Sequence, residues 1–186
     1  MEIILIGPIG AGKSTVAALL SGKLNLPQVS MDELRFDYYQ EIGYDAEFAK
    51  HKRETEGLWG VIHYWKPFEA HAVERLLASH TNCVIDFGAG HSVYEDETLF
   101  ARVQRALSPC PNVFLLLPSP DLDESIAMLN EREPWLREMS PNINEHFIRH
   151  PSNYTLARFI LYNKGKSPQE TCDEISELLA RDDTRA

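Results

Sequence analysis

The first fourteen residues, MEIILIGPIGAGKS, restrict the fold of this chain more than any other stretch. Four successive aliphatic residues, Ile3 to Ile6, read as a strand buried on both faces. Gly7 to Ser14 follows at once and fits the pattern G-x-x-x-x-G-K-[ST]. "KSTVAALLSGKL" then has the composition of a helix. Strand, glycine turn and helix together form a phosphate cradle, because successive backbone N–H groups turn inward and the helix N-terminus adds partial positive charge. Gly7, Gly10, Ala11, Gly12, Lys13, Ser14 and Thr15 are the expected nucleotide-binding residues. In this motif Lys13 reaches the β- and γ-phosphates of ATP, and Ser14 is placed to ligate Mg²⁺.

Short apolar runs alternate with helical stretches along the rest of the chain, which predicts a parallel sheet. "LPQVS", "NCVIDF", "NVFLLLP" and "ARFILYN" read as the four further strands. Helices are expected over "MDELRFDYYQ", most of residues 45–80, "EDETLFARVQRAL", "SPDLDESIAMLNERE" and "KGKSPQETCDEISELLA". Gly57, Gly60 and Pro67 are expected breaks. Ser30 with Glu33, Asp121 with Glu124 and Ser167 with Glu170 have capping-box spacing. Residues 134–153, rich in Pro, Asn, Trp and His, read as an irregular lid or loop with room for a short helix, and "RDDTRA" as a frayed tail. The expectation is a single domain, residues 1–186: a three-layer α/β/α P-loop NTPase fold with a five-stranded parallel sheet, substrate-side helices over about 32–80 and a mobile lid over about 134–153. Ligands of such sheets bind beyond the carboxyl ends of the strands.

Net charge excludes some functions. At −10 the chain is a poor candidate for a nucleic-acid or anionic-membrane binder. Three widely spaced cysteines without C-x-x-C make neither a disulfide framework nor a zinc site, and suit a reducing cytoplasm. Met1 is taken as the true start, since "IILI" is too short for a membrane span and lacks a basic leader. "NKGK" at 163–166 follows the last strand as a guanine-reading motif would, but Lys166 cannot accept hydrogen bonds as a carboxylate does. It is read instead as a turn beside the nucleotide base.

With "VIDFGAGHSVYEDE", "SMDELR" and "KRETEG", the chain resembles the shikimate kinase family of small P-loop kinases, within the nucleoside-monophosphate-kinase-like group. The resemblance runs from the first strand to the last helix. It implies an ATP-dependent phosphotransferase that acts on a hydroxyl, or a phosphate, of a small molecule, with shikimate as the leading candidate. It also implies a substrate-binding glycine triplet at Gly88, Ala89 and Gly90, and a substrate-binding catalytic acid at Asp32. Ser30 stands where the family carries a first, metal-associated acid, so Asp86 is the expected compensating metal carboxylate beside Ser14. Arg53 and Arg149 hold positions implied to grip substrate, and Arg132 is the implied catalytic lid arginine. Asp32, Lys13 and Arg132 are thus the expected catalytic set, with ATP and Mg²⁺ as cofactors. The expected partner is a small-molecule acceptor, bound by a monomer.

The altered acceptor residues leave two other readings open: a nucleotide, nucleoside or antibiotic kinase of the same fold, and a non-catalytic ATP-binding regulatory module. His146 and His150 lie four apart without the acid of a zinc motif, and are not read as ligands. His91 is a further candidate for substrate contact. Trp59, Tyr64 and Trp65 are read as packing residues rather than pocket walls.

Overall fold

The computed structural model describes residues 1–183, with side chains to residue 181. The phosphate motif joins strand β1 (Ile3–Ile6) to helix α1 (Lys13–Leu24). Next come β2 (Gln28–Ser30), α2 (Met31–Glu41), the long α3 (Ala46–Ser79) and β3 (Val84–Asp86). A 3₁₀ turn over Ala89–Ser92 leads to α4 (Glu97–Leu107), β4 (Asn112–Leu117) and α5 (Leu122–Arg132). A second 3₁₀ turn over Pro134–Glu138 precedes α6 (Ile143–Arg149), α7 (Pro151–Leu156), β5 (Phe159–Tyr162) and α8 (Pro168–Asp183).

The five strands are parallel, in the order β2-β3-β1-β4-β5. Alternation along them decides which face each side chain enters. Ile4, Ile6, Ile85, Val113 and Leu115 join the core under α2, α3 and α4, whereas Ile3, Leu5, Val84, Phe114 and Leu116 join the core under α1 and α8. Both faces of the central strands β1 and β4 are covered, so these two are almost continuous apolar runs. The chain moves from β1 to one edge of the sheet, returns to β3, and then crosses to β4. This reversal beside β1 opens a crevice beyond the strand ends, and the phosphate loop lies in it.

Several local expectations are corrected. Only Gly57 breaks α3, with φ 70° and ψ −164°; the helix continues through Gly60 and Pro67. The residues around Pro67, Phe68, Ala70 and Val73, are buried in the core, and that packing offsets the lost N–H donor. The Ser30 side chain does not cap α2; its hydroxyl is drawn to Asp86. The other two caps form as spaced: Asp121 accepts from the N–H groups of Asp123 and Glu124, and Ser167 and Glu170 bond reciprocally. Residues 134–153 hold the short helix allowed for, α6, and beyond it a 3₁₀ turn and the start of α7. In "RDDTRA", Arg181 to Asp183 continue α8, and residues 184–186 lie outside the described residues. Among the described residues no helix is long and apolar enough to cross a membrane.

Candidate active site

The phosphate loop has the shape its glycines permit. Gly12 immediately before α1 has φ 90°, a left-handed conformation that a residue with a Cβ rarely adopts. Gly7 passes so close to β4 that a Cβ would stand 2.6 Å from the Leu116 carbonyl oxygen. Lys13 is buried, and its ammonium donates to the carbonyls of Gly7 and Pro8, both at 2.9 Å. Burial pulls its pKa down to about 8, against the opposing fields of the Asp32 and Asp86 carboxylates. A cavity of about 370 Å³ lies in front, lined by Gly10, Gly12, Lys13, Ser14, Thr15 and Asp32 among others.

Behind this cavity Asp86 ends β3, only 1% exposed. Its Oδ1 accepts the hydroxyls of Ser14 at 3.0 Å and Ser30 at 3.1 Å, and its Oδ2 accepts Gln28 Nε2 at 2.8 Å. Adjacent parallel strands create this cluster, since Ser30 pairs in register with Asp86. Gln28 was not foreseen, because its side chain belongs to the site only through that register.

On one side, a smaller cavity of about 190 Å³ is bounded by Ala11, Gly12, Thr15, Arg132, Asn163 and Lys166. Asn163 Nδ2 donates to the Ala11 carbonyl at 2.9 Å, and Arg132 Nη1 donates to the Gly10 carbonyl at 3.1 Å. The "NKGK" turn and Arg132 therefore meet the phosphate loop at one place.

On the other side lies a larger cavity of about 490 Å³. It shares Ile9, Asp32 and Ala89 with the phosphate cavity. Gly90 lines it as well, while Gly88 lies directly behind Asp32, where a Cβ would come 2.5 Å from Asp32 Oδ1. Its other walls were missed in the sequence, although a periodic signal was present. Asp32 and Arg35 lie one turn apart on α2 and form an ion pair at 3.2 Å. Leu58, Ile62, Trp65 and Glu69 recur at helical spacing on one face of α3, and all four face the cavity. Trp65 packs against the core as expected and is in addition a wall of the cavity. Trp59 and Tyr64 do pack: Trp59 stands edge-on to His146 at 5.1 Å, and Tyr64 meets Phe68 at 5.1 Å.

The remaining arginines are placed elsewhere. Arg53 is exposed, on the part of α3 that precedes the Gly57 break, and does not line the cavity. A kink at Gly57 separates that first part of α3 from the stretch that carries Leu58 to Glu69. Arg149 is held in exposed ion pairs with Asp123 and Glu145. His91 is buried behind Gly88, next to the Tyr39 hydroxyl at 3.2 Å, and burial lowers its pKa. His146 pairs with Glu95 at 2.7 Å, and no metal-binding cluster of His, Cys, Asp or Glu occurs among the described residues.

The lid segment is tied to the phosphate loop by a residue that spacing alone did not mark. Asn144, fully buried on α6, accepts from the Ile9 N–H at 3.0 Å and donates to the Ile9 carbonyl at 3.1 Å. From the same segment Trp135, Ile143 and Phe147 reach the larger cavity.

A parallel sheet with a phosphate loop at its reversal point, flanked by one cavity at Asn163 and another at Asp32, has the architecture of a P-loop phosphotransferase. The family model for shikimate kinase matches residues 9–180. Shikimate kinases from Flavobacterium psychrophilum and Persephonella marina are 22% and 27% identical, the alignments covering 96% and 94% of this chain and 98% and 96% of theirs. The shikimate kinase of Acinetobacter baumannii in complex with shikimate superposes with a TM-score of 0.66 at 19% identity, covering 97% of this chain and 93% of that one. The chain belongs to the shikimate kinase family, and it is an ATP-dependent phosphotransferase.

Proposed function

We propose that this protein transfers the γ-phosphoryl group of MgATP to a hydroxyl of a small acceptor bound in the larger cavity. The observation that carries this reading is that the phosphate and acceptor cavities meet at Asp32. A carboxylate at that junction touches the reacting hydroxyl from one side while the phosphates occupy the other. Phosphoryl transfer needs alignment, charge neutralisation and exclusion of water rather than covalent catalysis.

Base, phosphates and acceptor then occupy three adjoining cavities. Ala11, Asn163 and Arg132 border the base end. The backbone of Gly7, Gly10, Ala11 and Gly12 and the first turn of α1, including Thr15, surround the phosphates. Lys13 exchanges its hold on the Gly7 and Pro8 carbonyls for the phosphate oxygens. Asp32 orients the acceptor hydroxyl and takes its proton. Arg35 holds Asp32 in place and takes the acceptor-side position expected of Arg53. Ala89 and Gly90 admit the acceptor close to the backbone. Trp135, Ile143 and Phe147 cover the cavity and exclude water.

The residues fit a magnesium ion. Ser14 offers a hard hydroxyl oxygen on the wall of the phosphate cavity, and Asp86 holds that hydroxyl from behind. When bound, the ion neutralises phosphate charge. Ser30, in place of a second acid, leaves one carboxylate to do this supporting work.

The test is ADP release by purified protein with MgATP and a panel of hydroxyl acceptors. Asp32→Asn is expected to lower acceptor-dependent kcat by about 10²- to 10⁴-fold, as removal of a general base does. Unchanged acceptor-dependent turnover in this variant would remove Asp32 from the mechanism. Tight ATP binding with no acceptor-dependent ADP release would favour a sensing module.

A further inference from the structure

We propose, on the reading of this site as a phosphotransferase, that Asn144 is a positioning residue that passes occupation of the phosphate loop on to the wall of the acceptor cavity. Four consecutive residues of the loop are each held by a side chain. The Lys13 ammonium takes the carbonyls of Gly7 and Pro8, both at 2.9 Å. Asn144 holds Ile9 by both main-chain groups, accepting its N–H at 3.0 Å and donating to its carbonyl at 3.1 Å. Arg132 Nη1 donates to the Gly10 carbonyl at 3.1 Å. The first two holds differ in kind from the last two. Phosphate oxygens compete for the Lys13 ammonium. Asn144 belongs to α6 and Arg132 ends α5, so their holds tie the same stretch of loop to the lid segment.

When phosphates draw Lys13 away, Gly7 and Pro8 lose the cation they share, and Ile9 is the next residue along. Its side chain lines both the phosphate and the acceptor cavity. On α6, Ile143 precedes Asn144 and Phe147 lies three residues on, and both line the acceptor cavity. Ile143 and Phe147 are packed in one cluster with Ile62 of α3, and Ile9, Leu58 and Ala89 lie against it. Close-packed side chains shift as a unit. Movement at Ile9 is thereby carried through α6 to the acceptor wall.

The chemistry of Asn144 supports this role. The residue is fully buried, where an amide costs free energy unless its oxygen and nitrogen are both bonded. Both bonds go to Ile9, 135 residues away in sequence. The amide serves that backbone as a neighbouring strand would. An apolar side chain would fill the same space if packing were all the position did.

The three tryptophans report on the wall, and none of them lines the phosphate or base cavity. Trp65 and Trp135 line the acceptor cavity, and Trp59 Nε1 donates to the Pro141 carbonyl of the lid segment at 2.9 Å. The full chain is titrated with a non-hydrolysable ATP analogue and Mg²⁺, without acceptor, and followed by calorimetry and tryptophan fluorescence. The parent is expected to change its fluorescence as the analogue saturates. Asn144→Leu is expected to bind the analogue up to about tenfold more weakly, yet to lose most of the fluorescence change at saturation. A merely structural role would lower affinity and leave the saturated signal intact.

Should that variant not fold, Asn144→Asp replaces it. Its carboxylate accepts from the Ile9 N–H but repels the Ile9 carbonyl, whereas the protonated acid donates there as the amide does. Its fluorescence change is expected to be lost at pH about 8 and regained toward pH about 5, each compared with the parent at the same pH. A parental signal in Asn144→Leu, or a signal in Asn144→Asp that matches the parent at every pH, overturns the proposal. So does a parent that binds the analogue with no fluorescence change. Abolished binding in folded Asn144→Leu would make the residue part of the loop's scaffold and overturns it too. Failure of the parent to bind the analogue sinks the phosphotransferase reading instead, so the two failures are distinguishable.

Discussion

The hydroxyl of Ser14 lies 3.0 Å from Oδ1 of Asp86, and the same oxygen accepts Ser30 at 3.1 Å. One buried carboxylate thereby links the phosphate loop to β2 and β3, and a serine occupies the position where a second acid would crowd it.

This arrangement makes the metal requirement testable. Asp86→Asn is expected to raise the Mg²⁺ concentration for half-maximal activity by about 10- to 100-fold, since it withdraws the charge that supports the Ser14 ligand. Ser30→Asp should act in the opposite sense. Two carboxylates then share one site and repel, so thermal stability falls in the absence of metal and recovers in millimolar Mg²⁺. Melting curves with and without Mg²⁺ check this. Equal Tm losses under both conditions would mean that the cluster does not face the metal.

Lys13 gives a pH dependence with a definite sign. In the free protein burial lowers its pKa to about 8 from an ordinary 10.5. Between these values the unfolded chain binds more protons than the folded one, so stability without nucleotide rises with pH across this window. ATP phosphates favour the charged ammonium. Nucleotide binding above pH about 8 is therefore expected to take up a proton, and affinity to fall by up to about tenfold per pH unit. Calorimetry in buffers of different ionisation enthalpy at pH about 8.5 measures the uptake; none would place the charged lysine already in the free site.

Arg35 and Arg53 are expected to behave differently. Arg35→Ala removes the partner of Asp32 and a cavity wall, and should lower acceptor kcat/KM by about 10- to 100-fold. Arg53→Ala, on an exposed stretch of α3, should stay within about twofold of the parent. Steady-state kinetics with any acceptor that supports ADP release compares them. A large loss in Arg53→Ala would return that residue to the site.

Gly57 tests the helix break. Its φ of 70° is positive, yet no atom lies within 4 Å of where a Cβ would be. Gly57→Ala therefore adds strain without a clash, and is expected to cost about 1–3 kcal/mol in denaturant unfolding. Gly60→Ala differs in kind, because its Cβ would meet the Glu56 Cβ at 2.5 Å.

Much of the donor half of this site was legible in the chain. Gly7 to Thr15 are contiguous, and Asp86 ends an apolar strand, so local order and the parallel-sheet rule place them together. The acceptor half was harder. The resemblance implied an acceptor grip at Arg53, but that residue lies beyond the Gly57 kink and does not line the cavity. Arg35, Trp65 and Glu69 carried a helical period that marked shared faces without saying what those faces would meet.

The sequence by itself determined the elements, the order of buried strands and the phosphate cradle, because backbone dihedrals, glycine freedom and apolar periodicity act between near neighbours. Only the tertiary structure decided which side chains line the larger cavity. That wall is assembled from α2, α3, the turn after β3 and the lid segment, whose meeting depends on sheet register and helix direction. The bond between Asn144 and Ile9, 135 residues apart, is of this second kind. So is the neutralisation of Glu69, where Lys66 bonds a turn of backbone at Gly90, beyond β3, that no local spacing foretells.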